Sequence, residues 1–233
     1  MQIERSYGRG LSNNTLKIIA MLAMMMDHIG LYFFDNATLF RAIGRLAFPI
    51  FSYMIAEGCR YTKNRAKYLG MIAGLALVMQ VVYYIAMQSL YQCILVTFSL
   101  SIAVIYSIDE YLKRKSLLAG VIAAFLIVAS IFLSLIAPEI FKEEGFDLDY
   151  GIIGVILPIA VYYAPDKPSR LFLTFLVLIA HSVIGKPIQW FSLLSIPLLA
   201  LYNGRRGKYR MKYLFYIFYP VHLVLIYFIS LII

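Results

Sequence analysis

The sequence predicts an all-α fold, a polytopic membrane bundle of about nine helices within a range of eight to ten. Three observations carry that prediction. Of the 233 residues, 62% are hydrophobic and only 14% charged, where a soluble domain has roughly 25% charged residues. The mean hydropathy is +0.81. The apolar residues gather into long runs, and the basic residues alternate between the segments that join them.

The runs cover 16–34, 40–58, 68–88, 94–112, 117–137, 150–165, 171–185, 187–202 and 213–232. A helical span needs roughly 20 apolar residues, or about 17 at the short end. The first five and the last meet that length. The sixth, seventh and eighth fall short, so they tilt, extend into polar flanks or include a re-entrant piece. The first run follows a polar stretch, lacks a small-residue cleavage site and leads into further apolar runs, so it reads as a span and not as a signal peptide. The second contains Pro49, which has no backbone N–H and interrupts helical bonding to the carbonyl of Arg45. The ninth is interrupted by Tyr219, Pro220 and His222.

Charge sets the expected orientation. All but four of the 21 basic residues fall on one side when the N-terminus is placed in the cytoplasm; the four are Arg41, Arg45, Lys142 and Lys186. That is a strong positive-inside bias. It predicts a multi-pass protein of the cytoplasmic membrane with the N-terminus inside and the C-terminus outside. The net charge of +9 is thereby assigned to inner loops, and no nucleic-acid partner is expected. Cys59 and Cys93 fall on opposite faces in this topology, so no disulfide joins them. No metal-ligand spacing and no phosphate-binding glycine loop is visible. The outer loop 138–150, rich in acidic residues, is either solvated or gives Asp147 and Asp149 a lid or acceptor-binding role.

Asp27 and His28 lie deep in the first run, where only Lys17 offers another charge near neutral pH. Lys17 stands at the start and can snorkel to the interface. Charge at membrane depth is expensive and marks function by default. Neighbouring residues on a helix point about 100° apart, so Asp27 and His28 do not pair with one another. Arg45 is the natural counter-ion of Asp27, since a buried carboxylate needs a cation or several donors. His28 is then the candidate general base. Arg41, His181, Tyr219 and His222 bring further polar groups to the outer half or the centre, and with Glu57 they are the residues expected to bind substrate. Glu57 lies one turn from Arg60 at the inner end of the second run. Arg60, Lys63, Arg65 and Lys67 form a basic stretch suited to the phosphates of a cytoplasmic donor.

Three segments, LKIIAMLAMMMDHIG (16–30), RAIGRLAFPIFSYMIAEGCRYTKNRAKYL (41–69) and FYIFYPVHL (215–223), resemble the conjugal transfer protein TraX family, in the family's order. The resemblance implies an integral-membrane acetyltransferase domain over 1–233, within a superfamily that passes acyl groups from cytoplasmic acyl-CoA across the bilayer. The family's founding member is associated with N-acetylation of F-type pilin. The expected donor is acetyl-CoA, without a metal. The expected acceptor is a protein amine, a sugar or a lipid head group on the outer side. Asp27, His28, Arg45, Glu57, Tyr219 and His222 fall in the family motifs. Two other readings stand beside this one: a proton-coupled transporter using Asp27 and His28 as a relay, and a non-catalytic assembly factor. Transporters commonly carry internal repeats, and the two halves of this chain show no such similarity.

Overall fold

The structure, a computed structural model, describes residues 10–34, 38–209, 211–230 and 232, without the side chains of Ala86, Met87 and Lys212. Arg5, Arg9, Arg210 and the Lys212 side chain, all used in the charge pattern, lie outside the described residues. The protein is all-α: α1 (Asn13–Phe33), α2 (Thr38–Gly44), α3 (Ala47–Tyr61), α4 (Arg65–Met87), α5 (Ile94–Arg114), α6 (Leu117–Ile131), α7 (Ala137–Ile140), α8 (Gly151–Tyr163), α9 (Lys167–Ile184), α10 (Ser195–Ala200) and α11 (Lys212–Ser230). A π-helical turn, Phe132–Ile136, joins α6 to α7, and a 3-10 segment, Pro187–Leu194, precedes α10.

Seven stretches among the described residues are long and apolar enough to cross a membrane: Asn13–Phe33, Thr38–Tyr61, Arg65–Ile85, Ile94–Arg114, Leu117–Ile140, Lys167–Ile184 and Tyr213–Ser230. Gly151–Tyr163 and Pro187–Ala200 are shorter apolar helices. The chain is therefore a polytopic helical membrane protein, and all nine predicted runs are helical. The seventh run is longer than expected, because α9 starts at Lys167. The sixth and eighth stay short, and the eighth opens as a 3-10 helix at Pro187, whose ring fixes the first turn. Polarity is inverted relative to a soluble bundle. Leu117, Leu118, Phe125 and Val128 of α6 are exposed, while Ser52, Thr97, Ser101, Thr174 and Ser195 are fully buried. Hydrocarbon solvates the first group, and in the second Thr97, Ser101 and Thr174 donate to backbone carbonyls.

The chain forms two compact units, Met1–Met54 with Lys167–Ile233, and Ile55–Asp166. In the first unit α1 packs on α2 and α11, and the 3-10 segment packs on α9 and α2. Ser12 caps α1 by accepting from Thr15 N–H at 3.2 Å. A strap formed by residues 201–209 closes over this end. Leu11 N–H donates to the Leu201 carbonyl, Asn13 N–H to Arg205 and Asn14 N–H to Arg206, at 2.8, 2.8 and 3.1 Å. These bonds satisfy helix-start donors that otherwise lack partners.

The second run breaks at Arg45 and Leu46, earlier than Pro49. Arg45 N–H is shared between the carbonyls of Arg41 and Ala42, at 3.2 and 3.3 Å. Pro49 sits in the first turn of α3, where a missing N–H costs no helical bond. The proline starts the second segment and does not kink a continuous helix.

In the second unit α5 packs against α4, α6 and α8. Ser101 Oγ donates to the Val155 carbonyl of α8 at 3.1 Å, and Thr97 Oγ1 donates to the Asp149 carbonyl at 2.8 Å. The acidic loop is fastened along residues 90–92: Leu90 N–H donates to Glu144 O, Gln92 N–H to Asp147 O, and Asp149 N–H to Gln92 O, at 2.9, 2.8 and 3.0 Å. Burial, with the Asp149 carboxylate close by, pushes the Tyr91 phenol up from its ordinary range. Cys59 and Cys93 are buried, and no disulfide joins them.

Candidate functional site

Asp27 is gripped from two directions. Arg41 Nη1 donates to Oδ2 at 2.8 Å, and Arg45 Nη2 donates to Oδ1 at 2.5 Å. The side chains keep 15%, 22% and 9% of their exposure for Asp27, Arg41 and Arg45. Arg45 Nε also donates to the Arg41 carbonyl at 3.3 Å. Arg41 and Arg45 stand four residues apart, which puts both guanidiniums on one side of the chain, toward α1. Gly44 is what lets the helices approach. A Cβ there would stand 2.5 Å from Asp27 Cγ and closer still to Asp27 Cβ and Oδ1. Arg45 supplies the counter-ion expected from sequence. Arg41, expected to meet substrate, supplies the second one.

His28, the next residue, turns away from this pair. Its Nδ1–H donates to the Met24 carbonyl at 2.8 Å, which leaves Nε2 as the lone-pair nitrogen. No hydrogen bond to His28 Nε2 occurs among the described residues. His222 of α11 repeats the arrangement, with Nδ1–H donating to the Phe218 carbonyl at 2.8 Å and a buried Nε2 that lacks a hydrogen-bond partner among the described residues. The two rings meet edge to face, 5.2 Å between centroids. Phe218 stacks on His222 at 4.6 Å, and Tyr219 meets it edge-on at 5.8 Å. His181, near the end of α9, lies against Phe48 at 6.0 Å and within electrostatic reach of Arg45. The first unit thus gathers Asp27, His28, Arg41, Arg45, Tyr219 and His222, with His181 beside Arg45. Such a set can take a proton at an imidazole nitrogen and hold negative charge near guanidinium.

Glu57, Arg60, Lys63, Arg65 and Lys67 belong to the second unit. Glu57 is 2% exposed and pairs with Arg60 Nη1 at 3.2 Å. Arg60 also closes the end of α8. Its Nη2 donates to the Val161 carbonyl at 3.2 Å and to the Tyr162 carbonyl, and its guanidinium lies over the Tyr162 ring. This is a cation neutralising the carbonyl end of a helix. Arg65 pairs with Asp109 at 2.5 Å, and Asp109 accepts as well from Tyr162 and Tyr163 hydroxyls, at 2.7 and 3.1 Å. Lys63 and Lys67 are exposed and make no ion pair among the described residues.

Sequence reasoning missed Gly44 and Asp109. Gly44 left a trace, since a glycine placed between two intramembrane arginines suggests close backbone approach. Asp109 left none, because a carboxylate beside Glu110 near the end of an apolar run looks like an interfacial charge.

A family model described as TraX protein matches residues 12–230. The probable fimbrial assembly protein FimC, serogroup H1, of Dichelobacter nodosus is 28% identical over 232 residues, covering 91% of this chain and 92% of that protein. The uncharacterized protein RP591 of Rickettsia prowazekii (strain Madrid E) is 50% identical over 38 residues, 16% of this chain and 15% of that protein. No solved structure matches.

Proposed function

This chain belongs to the TraX protein family, and on that premise we propose that it is an integral-membrane acetyltransferase. Acting as one domain over 1–233, it moves an acetyl group from cytoplasmic acetyl-CoA to an acceptor on the extracytoplasmic side. The acceptor class is a protein amine, as in the family's founding member, or a sugar or lipid head group. The N-terminus is cytoplasmic and the C-terminus is outside, as the positive-inside bias indicates.

The observation that carries this reading is His28, an imidazole whose Nδ1 is anchored and whose Nε2 has no hydrogen-bond partner among the described residues, next to a carboxylate held by two arginines. His28 Nε2 takes the proton from the acceptor amine or hydroxyl as its lone pair attacks the thioester carbonyl. The carbon–sulfur bond breaks, and CoA leaves as a thiolate that is then protonated. Arg45, or His222 once protonated, stabilises the developing oxyanion. Asp27 keeps the arginine charges in place, while Arg41, Glu57, Tyr219, His222 and His181 bind or position substrate. The basic stretch Arg60, Lys63, Arg65 and Lys67 takes the donor phosphates. Lys63 and Lys67, without ion pairs, make the direct contacts, and Arg60 and Arg65 shape the turn.

The fimbrial name of one relative favours a second reading, a non-catalytic role in assembling a surface structure. One experiment separates the two. The purified protein in proteoliposomes receives isotopically labelled acetyl-CoA and candidate acceptors, and the products are read by mass spectrometry. Transfer that His28→Ala abolishes while acetyl-CoA binding persists supports the enzyme. Absence of transfer to an amine, a sugar or a lipid head group, with no release of CoA thiol, refutes it.

A further inference from the structure

Asp109 of α5 joins three helices of the second unit. Its Oδ2 accepts from Arg65 Nη2 of α4 at 2.5 Å and from the Tyr162 hydroxyl of α8 at 2.7 Å, and its Oδ1 accepts from the Tyr163 hydroxyl at 3.1 Å. The Arg65 guanidinium also lies over the Tyr106 ring, 4.9 Å from its centre. Arg65 opens α4, directly after the residues Thr62, Lys63 and Asn64 that join it to α3. On the other side of that turn, Arg60 is fastened to the closing carbonyls of α8. The turn also holds itself. Thr62 Oγ1 donates to the Asn64 carbonyl at 3.2 Å, and Asn64 Oδ1 accepts from Lys67 N–H at 2.8 Å. Lys63 and Lys67 are thus carried by a backbone pinned from both sides.

The charges at this end of the unit are sorted. Glu57, Asp109 and Glu110 each hold an arginine, respectively Arg60, Arg65 and Arg114. Lys63, Lys67, Lys113 and Lys115 are exposed and make no ion pair among the described residues. Arg65 keeps 46% of its side-chain exposure, and an ion pair so exposed adds little to stability. Three donors from two other helices on one carboxylate fix a position more than they hold the fold. We infer that Asp109 is a positioning residue for the acyl donor: acting through Arg65, it sets the α3–α4 turn so that Lys63 and Lys67 meet the donor's phosphates together. A lysine ammonium is a compact charge on a flexible stem, so the geometry of such a site resides in the backbone that carries it. The inference rests on the acetyltransferase reading, which supplies the donor.

The sign of one substitution separates position from charge. Asp109→Asn removes a negative charge near four lysines, which by charge alone tightens binding of a polyanion. Loss of position weakens it. The test measures equilibrium binding of labelled acetyl-CoA to the full chain in phosphatidylcholine nanodiscs, beside steady-state acetyl transfer and thermal unfolding. The expected result is that Asp109→Asn weakens binding and raises KM for acetyl-CoA roughly three- to tenfold with kcat preserved, and that Asp109→Glu recovers part of the loss. Glu110→Gln makes the same charge change on the next residue and does not weaken binding. Asp109→Asn combined with Lys63→Ala weakens binding by less than the product of the single effects, because both act on one contact. Unchanged or tighter binding in Asp109→Asn overturns the inference, as does an equal weakening in Glu110→Gln. Should Asp109→Asn not fold, Tyr162→Phe decides: it keeps the ion pair and removes one donor to the carboxylate, and it weakens acetyl-CoA binding if Asp109 sets the turn and leaves it unchanged otherwise. Acetyl transfer by the unaltered protein, with ordinary donor binding in Asp109→Asn, sinks the positioning role and spares the enzyme. Weakened donor binding in that variant, without transfer by the unaltered protein, supports the positioning role and sinks the enzyme. A chain that neither binds acetyl-CoA nor transfers its acetyl group overturns both.

Discussion

His28 on α1 and His222 on α11 meet edge to face with 5.2 Å between ring centroids, and each is anchored by the same Nδ1 bond to the carbonyl four residues earlier. The shared anchor fixes both tautomers and leaves Nε2 as the lone-pair nitrogen of each of the two adjoining rings. Removing either ring therefore removes chemistry before it removes structure. His28→Ala is expected to lower acetyl transfer by about 10²–10⁴-fold, with the unfolding temperature in detergent little changed. His222→Ala lowers transfer less, since it acts on the transition state through charge and position. Initial rates with labelled donor, set beside thermal unfolding, check both statements.

The Asp27 clamp predicts a stability effect that is strongly non-additive. Asp27→Ala leaves two guanidiniums facing each other without a carboxylate, and breaking such a pair costs about 3 kcal/mol. Arg45→Ala alone costs less, because Arg41 still holds Asp27. Removing Asp27 and Arg45 together costs less than the sum of the single changes. Chemical denaturation of the four proteins in one detergent gives the coupling directly.

Gly44 and Gly70 form a matched pair. Gly44→Ala drives a methyl group into the Asp27 carboxylate, and overpacking of this kind costs about 1–3 kcal/mol. It also moves the clamp, so activity falls with stability. Gly70, in α4, has open space where its Cβ would lie. Gly70→Ala is expected to be neutral or stabilising by up to about 1 kcal/mol, the gain in helix propensity. Unfolding temperatures of the two variants separate the cases.

Arg60 and Lys63 are three residues apart and have opposite expected phenotypes. Arg60→Ala strips Glu57 of a cation and α8 of its closing donor, so the protein loses stability by about 2–4 kcal/mol. Lys63→Ala touches no buried group and leaves unfolding unchanged. Its effect falls on the donor, as a several-fold rise in KM for acetyl-CoA with kcat preserved, the signature of lost uniform binding. Steady-state kinetics at varied donor concentration tests this.

The sequence already exposed the helical class, the polar residues at membrane depth and the Asp27–Arg45 pairing. Each rests on a contrast visible within one apolar run. Asp27, His28 and Arg45 stand out because hydrocarbon tolerates so few such residues. The second grip by Arg41 was missed although its i, i+4 spacing from Arg45 puts it on the same face, and the break between α2 and α3 was hidden because Pro49 pointed to a later position. The burial of Arg60 against α8 was hidden too, because its carbonyl partners lie about 100 residues further along and carbonyls leave no mark in a sequence. Asn64, which caps α4 by accepting from Lys67 N–H at 2.8 Å, carried a local signal that sets the helix start at Arg65, three residues before the apolar run begins.

The unit that holds both histidines is assembled from the two ends of the chain, Met1–Met54 and Lys167–Ile233. During synthesis α1 is threaded before α11, with the residues of the other unit made between them. A nascent chain halted before Lys167 already owns Asp27, Arg41 and Arg45 and can close their clamp, but His28 has no ring to meet. The contact between His28 and His222 thus forms only once α11 has been made.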